Sequence, residues 1–367
     1  MLKLTAWSLA LIVLLVSAAE FWARERFPDN TPWPSPQALW LPADLVEEHP
    51  TLDFQLKPNA SVFFSGPNDE FDVNYQINEF GLRDSGMFST GPKRPVVLVL
   101  GDSFTEGYGV MRDATFTLEL QRQLRFQRGA SIYPRILNAG TSGYGAAQSA
   151  ARGQTLIESL KPKLVIFAYT GLMPVADYRH KQGGTKPITT DKALLDNKGG
   201  SALKLVQLFK DYFRASESQA AITIGDPATD LFAAARSISA ASTLHRESLE
   251  HVVSLAKFAE HQDAAFLLLH LPLPHQVAPD EWQTGRVAHR IASQIYDPPE
   301  NDLLEELCAA AIPDCLLTTQ HFRKLANERS SRLYFPTSYA FTEVGHAAIV
   351  ELLIDRVRTV LGIATPE

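Results

Sequence analysis

Cysteine is nearly absent. The 367-residue chain has two, Cys308 and Cys315, and no Cys/His grouping at the spacing of a zinc site. In an oxidising compartment the two close a disulfide; in a reducing one they are small buried hydrophobes, and both readings stay open. A basic surplus is also missing. With 34 Lys and Arg against 41 Asp and Glu the net charge is -7, which argues against a nucleic-acid-binding face. No Gly-Lys-Ser/Thr occurs, so there is no P-loop. The run Gly140-Thr141-Ser142-Gly143-Tyr144-Gly145 lacks the Gly-x-Gly-x-x-Gly spacing of a dinucleotide site. Internal repeats are absent, and long uncharged apolar runs number one. What remains is an ordinary globular composition, 45% hydrophobic and 20% charged, on a chain long enough to bury a full core.

The single apolar run spans Leu4 to Ala19, after Lys3 and before Glu20. Residues 1–22 read as a signal anchor or a cleaved signal peptide with small residues at Ser17-Ala18-Ala19. Either places the rest outside the cytoplasm: periplasmic, or on the extracytoplasmic face of a bacterial inner membrane. Residues 23–90 read as a Pro-rich spacer, including Pro32-Trp33-Pro34-Ser35-Pro36, followed by a small β segment. Alternation over Phe71 to Asn78 suggests a short antiparallel pair there. Residues 91–367 read as one α/β domain with an insertion at about 177–244. Val96 to Leu100 is a continuous, largely β-branched run of the kind found in strands buried on both faces. Further strands fall at Arg135–Asn138, Lys163–Tyr169, Ala264–His270 and Asp314–Leu317. Helices fall at Ala114–Arg125, Ala146–Leu160, Ala202–Tyr212, Glu247–Glu260, Asn301–Ala311 and Thr342–Leu361, the last capped by Thr342. This alternation implies a three-layer α/β/α, flavodoxin-like domain with about five parallel strands.

The chemistry concentrates at Gly101-Asp102-Ser103, directly after the first of these strands. A Ser on that turn stands at the C-terminal edge of a parallel sheet, where open α/β folds place ligands, and a hydroxyl near backbone N–H groups suits a nucleophile. Asp102 fits the organisation of backbone N–H groups better than acid–base work.

Gly101-Asp102-Ser103 after one strand, with Asn138-Ala139-Gly140 after the next, resembles the SGNH/GDSL hydrolase superfamily. Pro58-Asn59, Ile77-Asn78 and Phe80-Gly81-Leu82-Arg83-Asp84 resemble its bacterial membrane-anchored branch. The resemblance implies Ser103 as nucleophile, with the Ser103 and Gly140 N–H groups as oxyanion donors, each typically worth about 2.7–4 kcal/mol in such a hole. Three family positions are degenerate. Leu172 stands where the third oxyanion donor, an Asn, belongs. Counting back from Gly345-His346, Thr337 and Ala340 replace the Asp and His of the Asp-x-x-His pair. A substitute base is then sought at His275, which follows the fourth strand with His270. His346, in Glu343-Val344-Gly345-His346, is a second possibility and His180 a third, although each also reads as an ordinary core or loop histidine. Two function classes follow. One is an exported, catalytically impaired ester hydrolase or O-acyltransferase acting on acylated cell-envelope glycans or lipids. The other is a non-catalytic binding or assembly component of envelope polysaccharide machinery. The implied partners are that glycan or lipid and, through the N-terminal helix, a membrane; no metal or organic cofactor is implied.

Overall fold

The computed structural model describes residues 15–22, 41–66, 70–84, 94–125, 133–181, 189–190, 238–289 and 291–363. Residues 1–14, which include most of the apolar run, the Pro32–Pro36 stretch, most of the insertion with its expected helix at Ala202–Tyr212, and the tail after 363 lie outside them. Residues 15–22 are helical. No helix of the described residues is long and apolar enough to cross a membrane.

In chain order, β1 (Leu41–Pro42) leads to two antiparallel hairpins. The first pairs β2 (Val46–His49) with β3 (Asp53–Leu56); the second pairs β4 (Ser61–Ser65) with β5 (Asp72–Gln76). Where the sequence suggested one antiparallel pair there are two. The first was hidden because Val46–His49 has a single apolar residue and no alternation to read. Next come β6 (Val96–Leu100), α1 (Ser103–Glu106), α2 (Phe116–Arg125), β7 (Arg135–Asn138), α3 (Ala146–Leu160), β8 (Leu164–Thr170) and α4 (Met173–Lys181). The pair β9 (Thr189–Thr190) lies within the insertion and pairs in parallel with β1. The chain continues with α5 (Ile238–His261), β10 (Ala265–Leu271), α6 (Pro274–Val277), α7 (Gln283–Ala288), α8 (Asn301–Ala310), β11 (Cys315–Leu317), α9 (Thr319–Glu328) and α10 (Glu343–Leu361).

The central sheet has the order β11-β10-β8-β6-β7 with every neighbour parallel. Counting only its own strands this is the doubly wound 2-1-3-4-5 order, whose switch point falls between β6 and β8. Strand residues alternate between two cores. Val97, Val99, Ile166, Ala168 and Leu269 pack with α2, α9 and α10, whose inward positions include Phe116, Leu120, Leu124, Phe322 and Ile349. Leu98, Leu100, Val165, Phe167 and Leu268 face α3, α5 and α8 through Ile157, Val252, Leu255 and Leu304. Each such side chain buried stabilises the fold by roughly 1.5–3 kcal/mol. Both faces are covered, so the fold is a three-layer α/β/α sandwich. The closing helix α10 is capped at its N-terminus by Thr342, whose hydroxyl accepts the Gly345 N–H at 3.4 Å, and ends at Gly362 with a φ of +64°.

A third core joins residues 41–84 to the sandwich. Leu56, Phe71, Val73 and Tyr75 bury against Tyr108, from the loop after α1, and against Ala340. Cys308 and Cys315 form a disulfide that ties α8 to the start of β11.

Candidate active site

The turn after β6 is built by close approach. A Cβ on Gly101 would collide with Thr105 Oγ1 and lie 2.9 Å from the Ala168 carbonyl, so only glycine lets the turn lie on β8. Asp102 then caps the four-residue helix α1: its Oδ1 accepts the Phe104 N–H at 3.0 Å, and its Oδ2 accepts the Thr170 hydroxyl at 2.5 Å. That second bond spans the switch point between β6 and β8. Burial pushes the Asp102 carboxyl up to about 6, against the opposing pull of Thr170 and the Phe104 N–H. As the sequence suggested, Asp102 organises backbone.

Ser103 is 1% exposed. The phenol of Tyr339 neighbours its hydroxyl; the Tyr339 ring stacks on Phe104, the residue after Ser103, at 5.9 Å and meets Trp282 edge-on at 6.4 Å. Burial holds the Tyr339 hydroxyl well above its ordinary range, with the charge of Asp102 adding to this and that of Arg179 opposing it. Arg179, whose charge acts on Tyr339, belongs to α4. That helix begins directly after Leu172, whose carbonyl accepts the Val175 and Ala176 N–H groups. Tyr339 and Arg179 carry no motif; only the length and register of the loop before α10 and of α4 bring them here.

The loop after β7 closes against α1. Asn138 donates from Nδ2 to the Thr105 carbonyl at 2.8 Å and accepts the Gly140 N–H on Oδ1 at 3.1 Å. A Cβ on Gly140 would collide with the Glu106 N–H. Gly140 therefore gives its N–H to Asn138, and the glycine is needed for packing against α1. The Glu106 carboxylate, raised by burial, accepts the Ser142 N–H at 2.6 Å and fixes the rest of the loop.

The degenerate positions are structural. Leu172 is buried in the α2/α10 core. Ala340 is buried with Phe71 and Tyr108 in the N-terminal core. Thr337 gives its N–H to Glu70 at 2.9 Å and takes the Trp282 indole N–H on its carbonyl at 2.8 Å.

Neither candidate base meets Ser103. His346 Nδ1 accepts the Phe116 N–H at 3.3 Å, its ring stacks on Phe116, and burial drives it down to about 3, so it is a neutral imidazole serving the start of α2. Its place in the first turn of α10 turns it toward that helix. His275, on α6, packs against Tyr296 and Trp282, with Trp282 lying in ring contact between it and Tyr339. His180 pairs with Asp53 at 2.6 Å, and His270 gives Nε2 to Glu300 at 3.1 Å. Among the described residues no imidazole hydrogen-bonds Ser103.

A separate buried array went unread in the sequence. Tyr169 OH meets His245 Nδ1 at 2.8 Å; His245 and His270 face the two oxygens of Glu300 at 3.8 and 3.1 Å; and the Thr319 hydroxyl lies 3.5 Å from His270 Nδ1. Burial alone would raise the Glu300 carboxyl, but the His270 hydrogen bond and both imidazoles outweigh it and hold it below the usual range.

Fold and turn together define a doubly wound α/β protein with a serine at the switch-point edge of its sheet. Solved structures similar to it include "TesA", at 15% identity with a TM-score of 0.40, covering 72% of this chain and 99% of that one. Another is a putative lipolytic protein of the G-D-S-L family from Desulfitobacterium hafniense DCB-2, at 12% and 0.38, covering 73% and 99%. A third is a catalytic mutant of Axe2, an acetylxylan esterase from Geobacillus stearothermophilus, at 11% and 0.41, covering 74% and 96%. The fold class itself rests on strand order. No protein-family model and no curated protein matches the chain.

Proposed function

We propose that this chain is a non-catalytic member of the SGNH/GDSL fold type, an exported binding or assembly component of envelope polysaccharide machinery whose serine site is kept closed. The observation that carries this reading is that Ser103 is buried beneath Tyr339, whose ring stacks on the adjoining Phe104. The neighbour of the serine is a phenol held protonated by burial, which is no general base. Loss of the Ser or His of a catalytic triad costs on the order of 10⁶ in rate. Here the family His position is Ala340, buried in the N-terminal core, and the family Asp position is Thr337, engaged through its backbone. The ligand class, acylated glycans or lipids of the envelope, follows from the family resemblance. Export, with a membrane anchor or signal at residues 1–22, is supported by the apolar run Leu4–Ala19 and by the Cys308–Cys315 disulfide, which belongs to an oxidising compartment.

The second reading, an ester hydrolase or O-acyltransferase on the same substrates, draws on Ser103 itself, retained on the capped turn at the switch point. A fluorophosphonate probe separates the two. The expected result is that wild type and Ser103→Ala are labelled equally weakly beside an active serine esterase in the same assay. Stoichiometric labelling of wild type that disappears in Ser103→Ala would establish the second reading instead.

A further inference from the structure

The segment before α10 is a short loop closed at its base. Tyr334 and Phe341 form an antiparallel bridge, and the Phe335 N–H donates to the Ala340 carbonyl at 3.0 Å. Its tip, Pro336 to Ser338, is held from outside the loop. On one side the Trp282 indole N–H bonds the Thr337 carbonyl at 2.8 Å, and the Gly285 N–H bonds the Pro336 carbonyl at 3.1 Å. On the other side stands Glu70, from the segment just before β5. Its carboxylate takes the Thr337 N–H at 2.9 Å and the Ser338 N–H at 2.9 Å. Phe71, its neighbour, packs on Phe335 at 5.2 Å.

The residue after these two amides is Tyr339, the cover on Ser103. One half-buried carboxylate from the N-terminal hairpins therefore fixes the tip of the loop that closes the serine site. Without it two backbone donors beside Tyr339 lose a charged acceptor, the kind of loss that converts a rigid loop into an opening one. Pro336 is exposed and Phe335 and Thr337 are half-buried, whereas Ser338 and Tyr339 are buried, so opening exposes chiefly the Tyr339 ring.

We propose that residues 335–340 form a lid over Ser103 and that Glu70 is its latch, releasing Tyr339 from the serine when its hold on the Thr337 and Ser338 amides is lost. This goes beyond the non-catalytic reading, because it concerns access to the site and stands whether or not Ser103 reacts.

Ser103→Cys converts access into a measurable rate. Both natural cysteines are tied in the disulfide, so the new thiol is the sole reporter for iodoacetamide, followed by intact mass. In Ser103→Cys alone, alkylation should be about a hundredfold or more slower than in the urea-unfolded protein, as for a protected core group. Adding Glu70→Ala should raise the rate about tenfold or more, and Glu70→Gln, which keeps one acceptor, should fall between. Hydrogen exchange on the same variants should show faster exchange at 337–340, with Val96–Leu100 and Leu164–Thr170 unchanged. The latch is refuted if Glu70→Ala leaves the alkylation rate unchanged, or if the rise comes with equal loss of protection in those two strands. It is refuted as well if Ser103→Cys alone reacts like an unfolded thiol. Fluorophosphonate labelling of the natural serine reads its chemistry and not its access, so the two proposals fail separately.

Discussion

Asp102 caps a four-residue helix, lies beneath Thr170 and is fully buried, so its carboxyl sits at about 6 instead of the ordinary 3.8. The folded protein thus binds this proton more tightly than the unfolded chain does. The stabilisation is complete below about pH 4 and is lost as the pH rises through about 6, a swing of up to about 3 kcal/mol. Asp102→Asn keeps an oxygen for the Phe104 N–H and cannot ionise. Its stability relative to wild type should therefore improve between pH 4 and pH 7 by as much as that swing, measured by urea unfolding at the two values. Parallel curves for the two proteins would contradict the assigned shift. Glu300 is the opposite case, an ionised carboxylate whose oxygens face two buried imidazoles. Truncation leaves both rings facing a cavity, so Glu300→Ala should cost about 3–5 kcal/mol in the same experiment at neutral pH.

Among the elements, those with their own period were legible. The strand Val96–Leu100 and the helix Ala146–Leu160 stand where apolar runs and periodicity put them, and the Gly101-Asp102-Ser103 turn was readable from its neighbours. The helix α4 was not. Its Pro174 gives no helical signal, yet Pro is tolerated in a first helical turn, where its missing N–H has no partner to lose. The site was half legible for a similar reason. Ser103 and Asp102 are fixed by local turn chemistry. Tyr339, Arg179, Glu70 and Glu300 act through packing between segments far apart in sequence, and no local pattern encodes that. The histidines misled because an imidazole near the sheet edge has the same sequence appearance whether it points at a serine or, like His346, at a backbone N–H. The disulfide acts at this scale too. It closes a short loop between α8 and β11, and Glu300 lies at the head of that helix, so Cys308→Ser/Cys315→Ser should cost about 2–3 kcal/mol by loop closure. Thermal unfolding with and without reductant should show the same loss in wild type and none in the variant.

Across the whole molecule, the N-terminal hairpins are built into the sandwich through a charge with no room to spare. Arg83 is fully buried, lies over the Tyr75 ring at 3.6 Å, and donates to the carbonyls of Glu106 at 3.0 Å, Val110 at 2.5 Å and Gly107. Those carbonyls belong to the end of α1 and the loop that follows, so one guanidinium joins the hairpins to the helix that carries Ser103. Glu70 makes the matching connection to the loop that carries Tyr339, and Arg152 a third, from α3 to the Gly81 carbonyl at 2.6 Å. A part joined by these three contacts, two of them through buried guanidiniums, and by a shared core has no independent stability, so the chain should unfold in one transition, with far-UV dichroism and tryptophan fluorescence superimposing. Arg83→Ala orphans up to three buried carbonyls and opens a cavity beside Tyr75, which should lower stability by about 3 kcal/mol or more. Arg83→Lys, a point donor in place of a planar fork, should recover only part of that. If the two probes separate in wild type, or if Arg83→Ala leaves the midpoint unchanged, the hairpins are an appended domain, and their hold on the Ser103 and Tyr339 loops is not what keeps the site closed.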